Sequence, residues 1–545
     1  MSVTSARPAS PWPVLVVVTL GLFMTLLDLT IVNIAIPRII TDLHATFDQV
    51  LWVLNAYSLL YAVLLITSGR LGDIFGPRTL FAAGVVVFTA GSALSSLAQD
   101  PMTLIAGRAV QGLGAAVLAP QGLPLLLSAF RQAGRPTGTA FAVLGMLAGL
   151  AVVAGPTLGG LLVTHLGWRW IFSINLPIGA VVLVLALTVV PDLRPGRRHR
   201  LDLLGVLLAT AGLFGVVFGL IEGQRYSWGT VTGLVTIPEI IGAGILLLAA
   251  FGASQALRQG REPLLTFAVF RDRNFSLMCG VMGALGFAMI GLFLPLTLYY
   301  QSVLGLSALD AGLTIAVQAV TMVLASPAAG MLTDRVDPKL LLIPGLLLFA
   351  AGMGYIDWMA HADAGRWSLV PGLVAAGAGL GFVWTPVFAI ATRDLHTELA
   401  GIGSGIINTV QELGGVVASA GIGALLSTRL SVSLHEQAVA VSGQLPAPVR
   451  PGFVQGFTDA ARHGLQVGAG ETGTTAPVPA GVPAAVADQI VHLAHQAFAQ
   501  AFVAAMRPTL IVPIAVIVLA AVSCFAVRRP AEQVEPVAGE EQQAA

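Results

Sequence analysis

Charged residues are scarce in this sequence: Asp, Glu, Lys and Arg make up 10% of its 545 residues, whereas 56% are hydrophobic. Soluble domains carry about 25% charged residues, which cover the surface that faces water. So few charges would leave the core of a soluble protein of this length uncovered, so we predict that the lipid bilayer is the solvent. The formal net charge is zero, which argues against a nucleic-acid partner.

Other absences exclude whole classes of site. The two cysteines, Cys279 and Cys524, both lie inside apolar runs, so neither a disulfide framework nor a metal-ligand spacing is present. The sequence has no phosphate-binding lysine loop, no serine nucleophile elbow and no metal-binding histidine pair within its apolar runs. We therefore expect no enzyme activity, no metal and no cofactor, with a proton gradient rather than ATP as the energy source.

Long apolar runs are abundant instead. A membrane-spanning helix needs about 20 mostly apolar residues, and the sequence has about fourteen such runs in three groups, which we interpret as domains at 13–190, 203–255 and 276–527. The runs are 13–36, 50–68, 79–98, 102–128, 138–163, 170–190, 203–221, 231–255, 276–300, 309–333, 340–359, 368–392, 402–427 and 505–527. This pattern predicts an all-α polytopic membrane protein.

Arginine is distributed unevenly between the loops. Most basic residues fall on one side of the predicted membrane, and the opposite short loops hold only Arg38, Arg169, Arg225 and Arg366. By the positive-inside rule the basic side, with both termini, is cytoplasmic in an inner or plasma membrane. The long connection 428–504 then lies outside as a solvated cap or spacer, with a helix from Val482 to Met506. The tail, 528–545, is predicted to be cytoplasmic and disordered.

A loop motif recurs in the first and last groups of helices. Gly69–Arg78 (GRLGDIFGPR) and Gly330–Lys339 (GMLTDRVDPK) share Gly, Leu, Asp, Pro and a terminal basic residue at matching offsets. Each motif follows the second helix of a six-helix group. Internal repeats in transporters place the substrate path at the interface between the repeats, near the midplane.

The first of these loops resembles the loop signature of the major facilitator superfamily. Five other stretches resemble its fourteen-helix drug:proton antiporter branch, the EmrB/QacA type: Leu27–Pro37, Arg108–Gly114, Gly155–Gly160, Trp168–Gly179 and Leu294–Gly305. The resemblance covers about residues 13–430 and the final helix. It implies the major facilitator fold, with two six-helix bundles and two extra central helices. The implied function is proton-coupled antiport that exports small lipophilic compounds, cations included, by alternating access (multidrug efflux).

Two charged residues of the first group fall within predicted spans. Asp28 lies near the middle of the first helix, where a charged side chain costs about 2.5–3.5 kcal/mol or more. Because burial penalises the charged form, Asp28 is a candidate for binding and releasing a proton. The resemblance implies that Arg108 in the fourth helix assists this transfer and faces Asp28. A static ion pair or hydrogen-bond anchor remains the alternative.

Glu412 is central in the thirteenth run, within NTVQELGG at 408–415. It departs from the family pattern, in which an amide is common at this place and a basic residue often precedes it. Three roles are open to this acid: carrying a second proton, binding a cationic substrate, or pairing with a nearby polar group.

Three further sets of residues are candidates for function. Polar and aromatic side chains within the spans are candidates for the substrate pocket: Asn33, Asn55, Tyr57, Tyr61, Tyr299, Tyr300, Gln301, Trp384 and Gln411. Charges at cytoplasmic helix ends are candidates for a gate, or for fixing topology: Arg70, Asp73, Arg78, Asp334, Arg335 and Lys339. Small residues and proline in the fifth helix permit close helix packing, and the resemblance implies that they mark exporters: Gly155, Pro156, Gly159 and Gly160.

The expected partners are a lipophilic substrate, protons and membrane lipid, and the chain is expected to act as a monomer. Two other functions remain open. One is a dedicated exporter of a metabolite or lipid that the cell itself makes. The other is a membrane scaffold or sensor that transports nothing and binds a partner through its 428–504 segment.

Overall fold

The computed structural model describes residues 10–45, 47–135, 138–192, 202–223, 226, 228–231, 233–258, 267–333, 335–393, 400–463 and 484–528. Asp334 and the tail 529–545 lie outside this part. The described chain is helical, with one isolated bridge between Thr230 and Thr236.

The helices fall into the three predicted groups. The amino-terminal half contains α1 (Trp12–Leu43), α2 (Phe47–Phe75), α3 (Pro77–Ser96), α4 (Pro101–Gln132), α5 (Gly138–His165), α6 (Trp170–Ser173) and α7 (Asn175–Val189). The central pair is α8 (Leu203–Glu222) and α9 (Ile237–Leu257). The carboxy-terminal half contains α10 (Ala268–Arg271), α11 (Arg273–Leu298), α12 (Ala308–Thr333), α13 (Pro338–Met359), α14 (Val370–Arg393), α15 (Ala400–Ser442), α16 (Arg450–His463) and α17 (Ala484–Ser523).

A helix occupies each of the fourteen predicted positions, with α6 and α7 together filling the sixth. By length and composition, twelve helices of the described residues can cross a membrane, or thirteen when the two segments of α2, bent by 55°, form one span. The 28-residue helix α5 stands at the fifth predicted position. The prediction that the eighth run begins at residue 231 is wrong. Helix α9 begins at Ile237, where Thr236 and Glu239 form a capping box.

Paired glycines bring the third and fourth long helices together in both halves. Gly84 and Gly91 of α3 lie against the backbone of α4 near Gly114 and Gly107. The carboxy-terminal half repeats this arrangement, with its four glycines at the same seven-residue spacing. They are Gly345 and Gly352 in α13, and Gly372 and Gly379 in α14. The repeat seen in the loop motif therefore extends to the packing of the helices.

The basic residue that ends each loop motif also has a matching role in the two halves. The Arg78 guanidinium donates to the carbonyl of Leu187 near the end of α7. The equivalent residue of the other half is Lys339, whose ammonium donates to the carbonyls of Phe525 (2.7 Å) and Val527 (3.2 Å) after α17. Each motif thus ties its helix to the last helix of its own half.

The two halves meet along two helix pairs. Helix α5 packs against α12, and α2 packs against α15. The central pair α8–α9 attaches to this second seam, because α8 packs against both α2 and α15. Leu213 and Val217 of α8 join Leu59 of α2 and Leu413 of α15 in one apolar cluster. The central pair therefore covers one edge of the interface between the halves.

Most of the described part of the segment 428–504 is helical, with a turn at 443–449 between α15 and α16. With 43 residues, α15 is about 64 Å long, which is twice the thickness of a hydrocarbon core of about 30 Å. Its second part packs with α16 and the first part of α17 around a buried core that includes Leu434, Phe457, Leu493 and Phe498. The segment is a helical cap built on continuous extensions of two spanning helices.

Candidate functional site

Asp28 of α1 and Arg108 of α4 form a buried ion pair between the Asp28 Oδ2 and Arg108 Nη1 atoms. The two side chains are 0% and 1% exposed, so the pair is closed to solvent in this conformation. The expectation that Arg108 faces Asp28 is confirmed.

Neutral amides satisfy the other carboxylate oxygen. Gln111 Nε2 donates to Asp28 Oδ1 at 2.9 Å, and Asn175 Nδ2, at the start of α7, donates to the same oxygen at 3.2 Å. Both amides also contact the Ser92 hydroxyl of α3, at 2.8 and 3.2 Å. Helices α1, α3, α4 and α7 therefore converge on one carboxylate, and each of these side chains is at least 99% buried.

Arg108 has three kinds of acceptor besides Asp28. Its Nε donates to the Val53 carbonyl of α2 at 3.1 Å, and its Nη1 donates to Gln111 Oε1 at 3.1 Å. Its guanidinium carbon lies 4.5 Å from the centroid of the Tyr57 ring, within cation–π distance. The Tyr57 hydroxyl in turn donates to the Thr25 carbonyl of α1 at 3.2 Å. The cation is thus held by α1, α2 and α4 together.

The local sequence explains why this network can form. Arg108 and Gln111 are three residues apart in α4, so they project from the same face. Gly112 lets α2 approach, because a Cβ atom there would overlap the backbone of Tyr57. Gly91 has the same effect on α3, where a Cβ would lie 2.6 Å from the Gln111 backbone nitrogen.

This arrangement is suited to proton exchange. Asp28 is a carboxylate that is neutralised by one cation and excluded from water, and a proton can replace that cation as its neutralising partner. Protonation would weaken the ion pair and leave Arg108 to its carbonyl, amide and ring acceptors. A change of one proton therefore rearranges contacts on four helices.

Gln111, Asn175 and Ser92 were not among the sequence-based candidates. Gln111 and Asn175 do stand in two of the stretches that carry the family resemblance, Arg108–Gly114 and Trp168–Gly179. The i, i+3 spacing from Arg108 was the available signal for Gln111. For Ser92 the sequence carries no comparable signal.

Glu412 lies on the other half, opposite α2. It is half-buried, as is Gln411 beside it. Tyr61 and Tyr57 of α2 both lie within electrostatic range of the Glu412 carboxylate. The predicted pocket residues Tyr57, Tyr61 and Gln411 and the acid therefore lie on the two helices, α2 and α15, that pack together between the halves.

The other predicted pocket residues are dispersed. Tyr299 and Tyr300 are fully buried in a π-helical turn at the carboxyl end of α11, where the Tyr299 hydroxyl donates to the His361 carbonyl at 2.7 Å. They pack in the core of the carboxy-terminal half, and the Tyr300 hydroxyl is buried without a partner among the described residues, so their place in a substrate pocket stays a prediction. The next residue of the turn, Gln301, and Asn55 are half-buried. The side chain of Asn33 lies outside the described part.

Trp384 of α14 is half-buried and stacks on Phe388, with ring centroids 6.0 Å apart. Its indole nitrogen is buried, and among the described residues it has no hydrogen-bond partner. Trp384 thus combines a packed ring with a free donor, as a ligand-contacting residue would.

Two of the predicted gate charges, Arg78 and Lys339, bind within their own halves. Arg78 and Lys339 bind the carbonyls given above, Arg70 is 7% exposed, and Arg335 is exposed. One Asp73 carboxylate oxygen is buried and lacks a partner among the described residues. A latch between the halves at these residues therefore stays a prediction.

The glycines of α5 contact both halves. A Cβ atom at Gly155 would overlap the Thr30 side chain of α1, whereas Gly160 faces Leu309 of α12 at an ordinary 3.8 Å. Gly159 is buried between them, and the side chain of Pro156 lies outside the described part. This stretch of α5 joins the helix of Asp28 to the other half.

No group of three or more His, Cys, Asp or Glu side chains in the described residues is placed to hold a metal ion. The two cysteines are buried and unpaired with each other.

Comparisons with known proteins agree with this architecture. The model of the Major Facilitator Superfamily matches residues 18–419. An uncharacterized MFS-type transporter of Mycobacterium tuberculosis (strain ATCC 25618 / H37Rv) is 38% identical over 453 residues, 82% of this chain and 77% of that protein. The tetracenomycin C resistance and export protein of Streptomyces glaucescens is 33% identical over 77% of each chain.

The fold also resembles that of a solved structure, the proton:xylose symporter XylE bound to 6-bromo-6-deoxy-D-glucose. The TM-score is 0.51 at 16% identity, covering 76% of this chain and 88% of that one. At this identity the likeness supports the fold alone. Together with the family match over most of the sequence, these findings show that the chain belongs to the major facilitator superfamily of membrane transporters.

Proposed function

We propose that this protein is a proton-coupled antiporter that exports small lipophilic compounds, cations included, by alternating access. In this proposal it lies in the inner or plasma membrane, acts as a monomer and has both termini in the cytoplasm. The observation that carries the proposal is the closed network around Asp28, in which a single carboxylate and a single guanidinium balance each other inside the membrane.

The network supplies the coupling step. A proton that enters down its gradient binds Asp28, removes the negative charge and frees Arg108 from its counter-ion. The contacts that change reach α2 through Val53 and Tyr57, and α2 packs against α15 of the other half. Release of the proton on the opposite side restores the pair.

Voltage makes the second acid relevant. Moving one charge through 100 mV is worth about 2.3 kcal/mol. Exchange of one proton for one monovalent cation is electroneutral and loses this contribution. A second proton carried by Glu412 would restore it. Flux ratios measured at several membrane potentials distinguish one proton per cation from two.

Export, rather than import, is supported by two observations. One is the sequence of the α5 segment Gly155–Gly160, which resembles the element that marks exporters in the family. The other is the relative from Streptomyces glaucescens, which is named for resistance and export.

The first experiment measures proton-driven uptake of a fluorescent lipophilic dye into everted membrane vesicles. We expect Asp28→Asn to abolish uptake, because an amide cannot carry a proton. Asp100→Asn, a change of the same chemistry at an exposed helix cap, should leave uptake intact. Undiminished proton-driven uptake by Asp28→Asn would overturn the proposal.

The second experiment addresses the cargo. Glu412→Gln should impair transport of a cationic dye more than that of a neutral dye, because a carboxylate near tyrosine rings attracts cations. Equal effects on the two dyes would remove cation recognition from the proposal.

A dedicated exporter of a compound made by the same cell is the second candidate. It is favoured by the similarity to a protein named for resistance to, and export of, tetracenomycin C. A panel of drugs and dyes in an efflux-deficient host, with and without a protonophore, separates the two. Broad protection favours multidrug efflux, and protection against a single chemical class favours the dedicated exporter.

A further inference from the structure

We propose that Tyr57 and Tyr61 form an aromatic bridge that links the Asp28–Arg108 pair in one half to Glu412 in the other. Tyr57 and Tyr61 would act as positioning residues for the coupling. The inference rests on the proposed function, because it explains how a proton bound in one half is sensed by an acid in the other.

The first end of the bridge is fixed to the ion pair. The Tyr57 ring is 0% exposed and lies 4.5 Å from the Arg108 guanidinium carbon. Its hydroxyl donates to the Thr25 carbonyl of α1, and its backbone is held close to α4 at Gly112. A shift of the Arg108 cation therefore acts directly on this ring, which has little room to move in other directions.

The middle of the bridge is the contact between the two rings. Tyr61 lies one helical turn after Tyr57, and the rings stack with centroids 6.0 Å apart and planes 23° from parallel. Offset stacking at this distance is favourable and directional. Tyr61 is half-buried, so it can follow a movement of Tyr57 toward the seam.

The second end of the bridge is Glu412. Leu59 and Val63, two residues to either side of Tyr61, share an apolar cluster with Leu413 and Val416 of the Glu412 helix. The acid lies within electrostatic range of both tyrosines. Because Glu412 directly precedes Leu413, the acid lies at the same seam between the halves as Tyr61.

Helix α15 is anchored to its own half behind Glu412. A Cβ atom at Gly286 of α11 would overlap the Gln411 backbone, and one at Gly414 would overlap the backbone of Gly283. This close packing fixes α15 to α11. Glu412 therefore moves with the carboxy-terminal half, whereas the two tyrosines move with α2.

The helices packed against α15 carry other charged groups, among them Arg70 and Asp73 beyond Tyr61 in α2, and Arg450 at the start of α16. Glu222 ends α8, Arg273 begins α11, and Arg507 of α17 donates to the Ala360 carbonyl. Arg108 of α4 lies behind Tyr57, and Asp28 is faced by Arg108, Gln111, Asn175 and Ser92. Among the described residues, Tyr57 and Tyr61 therefore form a continuous ring contact from the Asp28–Arg108 pair toward the helix of Glu412.

By linkage, a bridge that lets Asp28 influence Glu412 must let Glu412 influence Asp28 equally. A cation bound at the Glu412 end would change the proton affinity of Asp28. This reciprocity is what an antiporter needs in order to release one ligand when it binds the other.

The test follows the titration of Glu412 by infrared difference spectroscopy on the purified full chain in lipid nanodiscs. The carboxyl band of Glu412 is identified by its absence in Glu412→Gln. We expect Asp28→Asn to displace the midpoint of this band by about 0.7 pH unit or more. This corresponds to a change of about fivefold in the proton affinity of Glu412, the low end of typical coupling between sites.

The bridge variants decide the mechanism. Tyr61→Phe keeps the ring and should preserve the displacement, whereas Tyr61→Leu removes the ring and should abolish it. Tyr57→Phe against Tyr57→Leu repeats the comparison at the other ring. If Asp28→Asn displaces the Glu412 midpoint equally with Tyr61→Leu present, the two acids interact through the electric field alone and the bridge is overturned. The bridge is also overturned if Asp28→Asn causes no displacement when both tyrosines are intact.

The infrared measurement does not depend on transport. A protein that shows the displacement yet moves no dye in vesicles would retain the bridge and lose the export proposal. Proton-driven dye uptake without any displacement would retain export and lose the bridge. Circular dichroism and gel filtration of each variant confirm that it is folded.

Discussion

Replacing Arg108 by glutamine should destabilise the protein by about 3–5 kcal/mol, because it leaves a buried carboxylate without its counter-ion. Asp28 is 0% exposed, so water cannot take the place of the guanidinium. The amides of Gln111 and Asn175 already donate to Asp28 in the wild type and supply no new compensation. The full penalty of the uncompensated charge should therefore be seen at neutral pH.

Asp28→Asn should cost at least as much as Arg108→Gln, and the two variants should differ in their response to acid. A carboxylate can escape its penalty by taking a proton, but a guanidinium cannot lose one. Acidification should therefore restore part of the stability of Arg108→Gln and none of that of Asp28→Asn. The double variant holds no buried charge and should be more stable than either single variant, which corresponds to a coupling energy of about 3–5 kcal/mol or more.

The assay is reversible unfolding in mixed micelles titrated with sodium dodecyl sulfate, followed by the fluorescence of the eight tryptophans. The four proteins of the cycle are measured at neutral and at mildly acidic pH. Additive effects, within about 0.5 kcal/mol, would show that the pair contributes no interaction energy. An Arg108→Gln variant that gains nothing from acid would refute the reasoning about proton uptake.

Three further predictions concern single residues near the site. Gln111→Leu removes the amide that joins Asp28 to Ser92 and should slow proton-driven exchange about tenfold or more, a loss of about 1.4 kcal/mol at least. Gln132→Leu, at the exposed end of the same helix, should change the rate little. Gly112→Ala should destabilise by about 1–3 kcal/mol through overlap with Tyr57, while Gly242→Ala, with nothing within 4 Å, should be neutral or stabilising in the same unfolding assay. The Thr103 hydroxyl and amide donate to exposed Asp100 and lower the pKa of that carboxyl. The stability that this cap contributes should be complete above about pH 4 and lost as pH falls through the lowered pKa. Asp100→Asn should remove this pH dependence from the unfolding curves.

The positions of the spanning helices could be predicted because a membrane span needs only length and hydrophobicity, which a single sequence displays. Their ends could not, because caps depend on a few local contacts. Helix α9 begins at the Thr236–Glu239 capping box rather than at residue 231. Helix α15 continues beyond the predicted residue 427 to Ser442, because its extension finds partners in α16 and α17.

The sequence identified the charged residues of the site but not most of the neutral residues that bind them. Asp28 and Arg108 are visible in the sequence because charge inside an apolar run is costly. Ser92 and Asn175 are ordinary residues until the fold brings α3 and α7 against α1. Tyr299 and Tyr300, predicted for the pocket, are buried at the end of α11, where Tyr299 has a carbonyl partner, and their part in a pocket stays a prediction. Sequence position could not distinguish a ring that packs from a ring that lines a path.

The distribution of contacts around Asp28 limits how a proton can drive the transporter. The donors to its carboxylate lie on α4 and α7, and both helices belong to the amino-terminal half. Proton binding can change the balance between access states only if its effect reaches the interface between the halves. Helix α2 meets this requirement, because Val53 and Tyr57 contact Arg108 while Leu59 and Val63 pack toward α15. The helix that contacts the pair therefore also forms the seam between the halves, as the proposed coupling requires.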